Sequence, residues 1–256
     1  MKLGMCTSVE NIDISEQLGY DFIEPSVSAA AAMTEAEFGQ AEQAVANSRI
    51  RCEAFNMLFP REMRLVGRQH DLEAVRSYAL HAFARVAKLG GRIAVFGSGG
   101  ARSVPEGFGY ADAYGQLVLV CRTLGDIARS FGITVVIEPL NSRDCNLVNS
   151  VEQGLALVQK VDHPNIALLA DLYHMDMENE GMEILGKAVG VLRHCHISCG
   201  PDRAFPVEDN AGECRNFLNT LRDIGYAHML SVEGLTRDFA ADAAASCRFL
   251  RGALKS

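Results

Sequence analysis

Acidic and imidazole side chains lie at the ends of four successive apolar runs in the second half of the chain. These residues are Glu138, Asp171, His196 and Glu233. Three carboxylates with one imidazole make an oxygen-rich ligand set, which suits Mn²⁺, Mg²⁺ or Co²⁺ and lacks the thiolates that select structural zinc. Because four protein ligands leave coordination positions open for substrate oxygens, the pattern predicts a catalytic site for one divalent metal ion.

Each of these side chains also has a structural interpretation. A carboxylate at the end of a strand often caps the following helix or pairs with a neighbouring base. Side chains alternate along a strand, so His194 points to the same side as His196, and one of the two can be a core residue. We assign His196 as the ligand and His194 as structural. Four such residues at neighbouring strand ends favour a metal site over four separate structural roles.

The elements that position these residues alternate along the chain. Short apolar runs bounded by turn residues are followed by longer segments of helical period, which is typical of βαβ units and a parallel sheet. The predicted strands are Leu3–Cys6, Phe22–Pro25, Arg51–Asn56, Ile93–Phe96, Ile133–Glu138, Ile166–Asp171, Leu192–Ser198 and Met229–Glu233. The predicted helices include Glu73–Leu89, Ala111–Phe131, Val151–Val161, Glu208–Ile224 and Phe239–Arg251. Glycine marks four helix-to-strand junctions, at Gly19, Gly90, Gly132 and Gly225.

Eight strand and helix pairs in 256 residues fit one α/β domain, a (β/α)8 TIM barrel. An open doubly wound sheet would show the same alternation, but no dinucleotide-binding fingerprint follows the first strand. No linker composition divides the chain, so we predict a single domain over residues 1–256. Catalytic residues of such barrels lie at the carboxyl ends of the strands, which is where the four ligand candidates fall.

Composition and charge exclude several classes of protein. The chain has 48% hydrophobic residues and a net charge of -8 without a basic stripe, so we predict a globular protein that does not bind nucleic acid. No apolar stretch approaches the roughly 20 residues needed to span a bilayer, so no membrane partner is expected. The eight cysteines are scattered without a CxxC pair and are predicted to be buried, reduced thiols. With a start that lacks signal-peptide features, they predict a cytoplasmic location.

Four segments of the carboxyl half resemble a known family. They are Glu138-Pro139-Leu140-Asn141, Asp171-Leu172-Tyr173-His174, His194-Cys195-His196 followed by Arg203 and Pro206, and Ser231-Val232-Glu233. Their order and spacing are similar to the sugar phosphate isomerase/epimerase family of xylose isomerase-like TIM barrels, which includes D-tagatose 3-epimerase and hydroxypyruvate isomerase. The eight-unit architecture extends the resemblance to nearly the whole chain.

This resemblance implies one metal ion, with Mn²⁺ as first choice and Mg²⁺, Co²⁺ or Zn²⁺ as alternatives. Its implied ligands are Glu138, Asp171, His196 and Glu233. The resemblance further implies that Glu138 and Glu233 are the catalytic acid and base, and that His174 and Arg203 bind substrate oxygens. The alternative for Arg203 is a solvated loop charge. The family glutamate that orients the substrate-binding histidine is replaced by Asp144, to which we give the same part in substrate binding.

Three further features have two interpretations each. Glu53, in the third strand, is assigned to substrate binding, and its alternative is an ion pair at the opposite end of the barrel. Glu24, at the end of the second strand, is either a pocket wall or an ion pair at the opposite end of the barrel. The segment Gly97–Arg102 is either a phosphate cradle of backbone N–H groups assisted by Arg102, or a tight turn. Tryptophan is absent, so any aromatic pocket wall comes from Phe, Tyr or Met.

Together these features predict a metal-dependent isomerase or epimerase of a small ketose, hydroxy-ketone or sugar phosphate. The reaction would proceed by proton abstraction through a metal-stabilised enediolate. The nearest alternative is a dehydratase that resembles inosose dehydratase, because it begins with the same proton abstraction. An endonuclease IV-like DNA-repair enzyme would need more histidines at strand ends, and a non-catalytic sugar-binding barrel would show a broken ligand set. The resemblance also implies a homo-oligomer.

Overall fold

The structure is a computed structural model that describes residues 1–255, and within them nine parallel strands form one sheet. The strands are β1 (Lys2–Cys6), β2 (Phe22–Glu24), β3 (Arg51–Cys52), β4 (Ala54–Phe55), β5 (Ile93–Phe96), β6 (Thr134–Ile137), β7 (Ile166–Asp171), β8 (Leu192–Ile197) and β9 (Met229–Val232). Apart from β3 and β4, each strand pairs with its neighbours in sequence, and the first strand pairs with the last. All eight predicted strands are confirmed, although the third is divided.

The third predicted strand is interrupted at Glu53. Its first piece, β3, pairs with β2, whereas its second piece, β4, pairs with β5. The carbonyl oxygen of Glu53 accepts hydrogen bonds from the backbone N–H groups of Arg92 and Ile93, at 2.8 and 3.1 Å. The two pieces therefore count as one barrel strand that closes the ring, and the predicted (β/α)8 barrel is confirmed.

Eleven α-helices connect the strands within residues 1–255. They are α1 (Ile12–Leu18), α2 (Val27–Ala32), α3 (Glu35–Asn47), α4 (Leu72–Lys88), α5 (Gly99–Arg102), α6 (Tyr110–Phe131), α7 (Val151–Val161), α8 (Leu172–Met177), α9 (Glu183–Ala188), α10 (Gly212–Asp223) and α11 (Phe239–Ala253). Gly19 and Gly132 end α1 and α6 with φ angles of 93° and 66°. Glycine adopts this left-handed conformation without steric cost, so the chain can leave the helix and return to the barrel.

One predicted helix begins later than expected. A 3-10 turn at Glu208–Asn210 precedes α10, whereas the sequence predicted a continuous helix from Glu208. Among the helices of residues 1–255, none combines the length and apolar character that a bilayer crossing requires. The single-domain prediction stays a prediction, and its last residue, Ser256, lies outside the described part.

The interior of the barrel changes character along its axis. Its apolar layer consists of Phe22, Ala54, Ile93, Val95, Val136, Ala167 and Leu169. Side chains alternate along a strand, so the residue two positions later points to the same side. Glu24 therefore follows Phe22, and Asp171 follows Leu169, on the inner face. Along the barrel axis, the inward-facing side chains therefore form an apolar layer first and an acidic layer next, at the carboxyl ends of the strands.

The cysteines depart from the prediction. Cys199, which follows β8, and Cys214, in α10, form a disulfide bond. The prediction of eight reduced thiols is therefore wrong for this pair, because the fold brings together two residues whose spacing of 15 carries no pairing signal. The other six are free thiols, of which Cys6 is half-buried and the rest are buried.

Candidate metal centre and active site

The inward-facing residues at the strand ends surround the barrel mouth. In chain order this mouth ring is Cys6, Glu24, Asn56, Gly97, Glu138, Asp171, His196 and Glu233. The first four residues follow or end β1 to β5 and form the amino half of the ring. The last four come from β6 to β9 and form the carboxyl half. All four predicted metal ligands lie in the carboxyl half.

The carboxyl half brings four ligand atoms together. One ligand atom from each of Glu138, Asp171, His196 and Glu233 lies within 4.8 Å of the others. The Nδ1 atom of His196 lies 3.2 Å from Glu138 Oε1 and 3.2 Å from Glu233 Oε2. Glu233 is partly exposed, while the other three are buried. The fold thus assembles the predicted ligand set, and metal binding itself stays a prediction.

Local structure makes room for these carboxylates. A Cβ atom at Gly97 would lie 2.0 Å from Glu138 Oε2, so the Glu138 side chain occupies space that only glycine leaves free. The two carboxylate oxygens of Asp171 have different partners. Its Oδ1 accepts the backbone N–H of Tyr173 at 2.9 Å and caps α8, while its Oδ2 faces Arg203 at 3.0 Å. The helix-cap and site interpretations therefore both apply to Asp171.

Negative charge accumulates in this cluster. Burial raises the pKa of Asp171, although His174 and Arg203 act to lower it. Burial also acts to raise the pKa of Glu233, but His196 and Arg203 outweigh it and lower that pKa to about 2. Buried carboxylates are stable only when their charge is compensated. A divalent cation would supply the compensation, so the residues present fit an ion of the oxygen-preferring class.

Arg203 lies over the carboxylate cluster. Its Nη2 donates to Glu233 Oε2 at 2.6 Å and to Asp171 Oδ2 at 3.0 Å. Its guanidinium carbon lies 4.4 Å from the centre of the Tyr173 ring. Only 24% of the side chain is exposed, which is inconsistent with a solvated loop charge. A Cβ atom at Gly234 would lie 2.7 Å from the Arg203 carbonyl oxygen, so glycine permits this close approach.

His174 is held by the loop that follows β6. Its Nδ1 accepts the backbone N–H of Asn141 at 3.1 Å, and the Asn141 side-chain Nδ2 lies 2.8 Å from the same atom. Since Nδ1 is an acceptor, the proton of a neutral ring is on Nε2, which lies 3.6 Å from Asp171 Oδ2. Asp144 accepts from Asn141 Nδ2 at 2.8 Å but lies 4.0 Å from His174.

Asp144 therefore acts on His174 through Asn141. Sequence reasoning missed the role of Asn141, although this residue lies in the Glu-Pro-Leu-Asn segment that carries the family resemblance.

Glu24 lies at the barrel mouth, behind His196. Its Oε1 lies 2.8 Å from His196 Nε2, and its Oε2 lies 2.7 Å from His194 Nε2. All three side chains are fully buried. Burial acts to raise the pKa of Glu24, but the two imidazoles hold it well below its usual range. Of its two interpretations, the pocket position is the one observed.

Glu53 and Arg102 do not reach the site. Glu53 pairs with Lys2 at the amino end of β1, with Nζ–O distances of 2.8 and 2.7 Å, so its assignment to substrate binding is wrong. Alternation sends Ala54, not Glu53, into the barrel interior. Arg102 is fully buried and donates to the carbonyl oxygens of Phe96 and Glu138, at 2.9 and 2.7 Å. Arg102 is therefore unable to assist a phosphate cradle.

Two cavities open beside the ligand cluster. One of about 370 Å³ lies against Glu233 and is lined by Cys6, Glu24 and Asn56 of the amino half. The other, of about 770 Å³, lies beyond Arg203 and is lined by Tyr173. Either cavity is large enough for a small molecule. Of the two, the first is lined by members of the mouth ring and the second is not.

The family described as xylose isomerase-like TIM barrel matches residues 12–253. The chain belongs to this family. Membership confirms the family resemblance that was drawn from four segments in the second half of the chain, and it agrees with the closed barrel. Within the xylose isomerase-like barrels, the particular reaction is a property of the site and not of the fold.

Two curated relatives share part of the chain. A probable ketose 3-epimerase from Synechocystis is 32% identical over 99 residues, which cover 38% of this chain and 33% of the relative. An inosose isomerase from Bacillus licheniformis is 31% identical over 134 residues, which cover 48% of this chain and 47% of the relative. The chain thus spans about a third to a half of the length of these curated relatives.

A solved structure matches along the full length. The crystal structure of D-psicose 3-epimerase with D-tagatose from Clostridium cellulolyticum H10 superposes with a TM-score of 0.84 and 18% sequence identity. The match covers 100% of this chain and 97% of that protein. At this identity the similarity shows the fold alone.

Proposed function

We propose that this chain is a metal-dependent isomerase or epimerase of a small ketose, hydroxy-ketone or sugar phosphate. The observation that carries the proposal is the convergence of Glu138, Asp171, His196 and Glu233 within 4.8 Å at the barrel mouth. The names of the two curated relatives, a probable ketose 3-epimerase and an inosose isomerase, support an isomerase over a lyase. The proposed ion is divalent, with Mn²⁺ ahead of Mg²⁺, Co²⁺ or Zn²⁺.

The proposed roles follow from where each group lies. A bound divalent ion would polarise a substrate carbonyl and stabilise the negative charge that develops when the neighbouring carbon loses its proton. Glu138 Oε1 and Glu233 Oε2 each lie 3.2 Å from His196 Nδ1, and we assign one carboxylate to remove the proton and the other to return one. His174 would donate from Nε2, and Arg203 would bind a second substrate oxygen.

An unphosphorylated substrate has more support than a phosphorylated one. The buried Arg102 binds backbone carbonyls, which removes the cation that the phosphate-cradle interpretation needed. The dehydratase alternative shares the first proton abstraction and differs only in the loss of a hydroxyl group. The endonuclease alternative has less support, because the mouth ring contains one histidine and the net charge is -8.

The proposal is tested by proton exchange. Metal-free protein, reloaded with Mn²⁺, is incubated in D₂O with ketoses, their phosphates, hydroxypyruvate and inososes, and the products are followed by NMR. We expect metal-dependent deuterium incorporation next to a carbonyl, together with a new epimer or isomer. A dehydrated product would establish the lyase, and absence of exchange with every substrate would contradict the enolisation chemistry.

A matched pair of glutamate variants locates the reaction. Glu233→Gln should abolish exchange, because the amide accepts no proton, whereas Glu53→Gln should exchange like the wild type because Glu53 lies at the other end of the barrel. Normal exchange in Glu233→Gln would remove Glu233 from the reaction.

Cellular location and assembly are also proposals. We expect the protein in the cytoplasm, acting on a small-molecule sugar, without a nucleic-acid or membrane partner, and as a homo-oligomer. The Cys199–Cys214 disulfide weakens the thiol argument for that location, because disulfides are rare in the cytosol. Gel filtration with light scattering would test the assembly.

A further inference from the structure

Glu24 holds two imidazole rings at once. Each of its carboxylate oxygens faces one ring nitrogen, His196 Nε2 at 2.8 Å and His194 Nε2 at 2.7 Å. An ionised carboxylate only accepts hydrogen bonds, so both of these ring nitrogens carry protons. None of the three side chains is exposed to solvent, which means that water does not replace either bond.

The hydrogen bond at Nε2 determines whether the other ring nitrogen of His196, Nδ1, has a free lone pair. With the proton on Nε2, the lone pair of a neutral ring is on Nδ1. Nδ1 is the atom that lies 3.2 Å from oxygens of both Glu138 and Glu233. The partner of one ring nitrogen commonly fixes the tautomer and orientation of a metal-binding histidine.

His194 bonds the second oxygen of the Glu24 carboxylate and so restricts its rotation. Its Nε2 lies 2.7 Å from the second oxygen of Glu24, which occupies that oxygen while the first faces His196. The rings of His194 and His196 also pack edge to face, with centres 4.9 Å apart. The strand β8 thus supplies both the candidate ligand and the residue that fixes its support.

We propose that Glu24 is a positioning residue of the metal centre, which orients His196 so that Nδ1 faces the carboxylates of the mouth ring. This role rests on the proposed function, because it requires His196 to bind a metal ion. A residue of β2, which carries none of the four candidate ligands, would thus contribute to metal affinity. In this role Glu24 acts through His196 and is not itself a metal ligand.

A second metal ion is the competing explanation for the same residues. Ligand atoms of Cys6, Glu24 and His196 also lie within 4.8 Å of one another. Cys6 Sγ, however, lies 4.0 Å from His196 Nε2, whereas Glu24 already bonds that nitrogen at 2.8 Å. An ion there would have to break the shorter contact. One ion per chain distinguishes the positioning role from a second site.

The test is a series of variants at Glu24 with metal affinity as the readout. Glu24→Gln keeps the volume, and its side-chain oxygen can still accept from His196 while its amide faces His194. Glu24→Asp is too short to reach both rings, and Glu24→Ala removes both bonds. Isothermal titration with Mn²⁺ should give a Kd raised about tenfold for Gln and up to about 100-fold for Ala, with Asp between them.

Glu53→Gln is the matched control, because it makes the same chemical change on the neighbouring barrel strand at the opposite end. Its Kd for Mn²⁺ should stay within about twofold of the wild type, and circular dichroism should show each variant folded. A Kd for Glu24→Gln and Glu24→Ala equal to that of the control would overturn the positioning role while leaving the proposed function intact. Two Mn²⁺ ions per wild-type chain would overturn it in favour of the second site. Failure of the wild type to bind Mn²⁺ would contradict the proposed function and this role together.

Discussion

The two halves of the mouth ring differ in chemistry although the same strand-end geometry builds both. The carboxyl half consists of Glu138, Asp171, His196 and Glu233, whose ligand atoms converge on one point. The amino half consists of Cys6, Glu24, Asn56 and Gly97, and the first three of these line a cavity of about 370 Å³ beside Glu233. Under the proposed function, this difference corresponds to a division of labour in which the carboxyl half would hold the ion and the amino half would give the substrate its space.

The halves are nevertheless connected by buried contacts. Glu24 in β2 bonds His196 in β8, and Arg102 after β5 donates to the carbonyl oxygen of Glu138 at 2.7 Å. Each contact runs from the amino half, or the loop beside it, to a ligand candidate in the carboxyl half. The amino half therefore supports the ligands from behind as well as forming the cavity wall.

Replacing a carboxyl-half ligand should have the largest effect. Glu138→Gln keeps the shape of the side chain but removes its charge and its ability to take a proton. We expect the rate of isomerisation to fall by about 10²–10⁴-fold, measured by steady-state kinetics with the substrate found by deuterium exchange.

The matched change in the amino half is Asn56→Ala. It should raise KM by up to about tenfold through lost substrate contacts and change kcat little. A loss of kcat in Asn56→Ala as large as that in Glu138→Gln would break the division between the two halves.

Arg102→Ala should show how strongly the halves depend on each other. The change leaves a cavity and removes the donor to the carbonyls of Phe96 and Glu138. We expect a loss of about 3–5 kcal/mol in the free energy of unfolding, measured by urea denaturation. Arg61, whose side chain lies beside Gly100 in α5, is exposed, so Arg61→Ala should stay within about 0.5 kcal/mol of the wild type. Equal losses in both variants would mean that burial of Arg102 contributes no more than a surface contact.

The carboxyl half of the site was predictable because its signal is local. Each candidate ligand follows an apolar strand within a few residues, and the barrel rule places strand ends at one mouth. The amino half gave a weaker signal, since Cys6 and Asn56 are ordinary residues at strand ends. Alternation alone would have rejected Glu53, because Ala54 and Asn56, which both follow the strand break, face inward.

Contacts between distant segments were not predictable from sequence. Glu24 and His196 are 172 positions apart, and their bond depends on closure of the barrel. The sequence suggested that Arg102, beside three glycines, could bind a phosphate. In the fold its side chain points into the protein interior and is fully buried. The Cys199–Cys214 bond likewise depends on how α10 packs against the loop after β8.

This disulfide is expected to stabilise the loop that carries Arg203. Closing a loop of 15 residues contributes about 3 kcal/mol in the chain-entropy description. Thiol titration of the denatured, unreduced protein should give six free thiols out of eight cysteines. Dithiothreitol should lower the Tm of the wild type but not that of Cys214→Ser. Eight titratable thiols in the wild type would show that the pair is reduced, and the loop would then depend on its hydrogen bonds alone.

The smallest effect should come from Asp176, in α8, where the negative charge of the carboxyl half extends beyond the ring. Burial, together with Glu213 and Asp171, raises the pKa of Asp176 to about 6. A carboxyl group with a raised folded-state pKa contributes stability below its unfolded pKa of about 4 and loses that contribution as pH rises through about 6. Asp176→Asn, which does not ionise, should therefore raise the Tm at pH 8 and leave it nearly unchanged at pH 4. The side chain is half-buried, so solvent screening limits the gain to about 1 kcal/mol or less. An equal shift of Tm at both pH values would assign the effect to packing of the amide. The negative charges of the carboxyl half would then not affect the stability contributed by Asp176, outside the mouth ring.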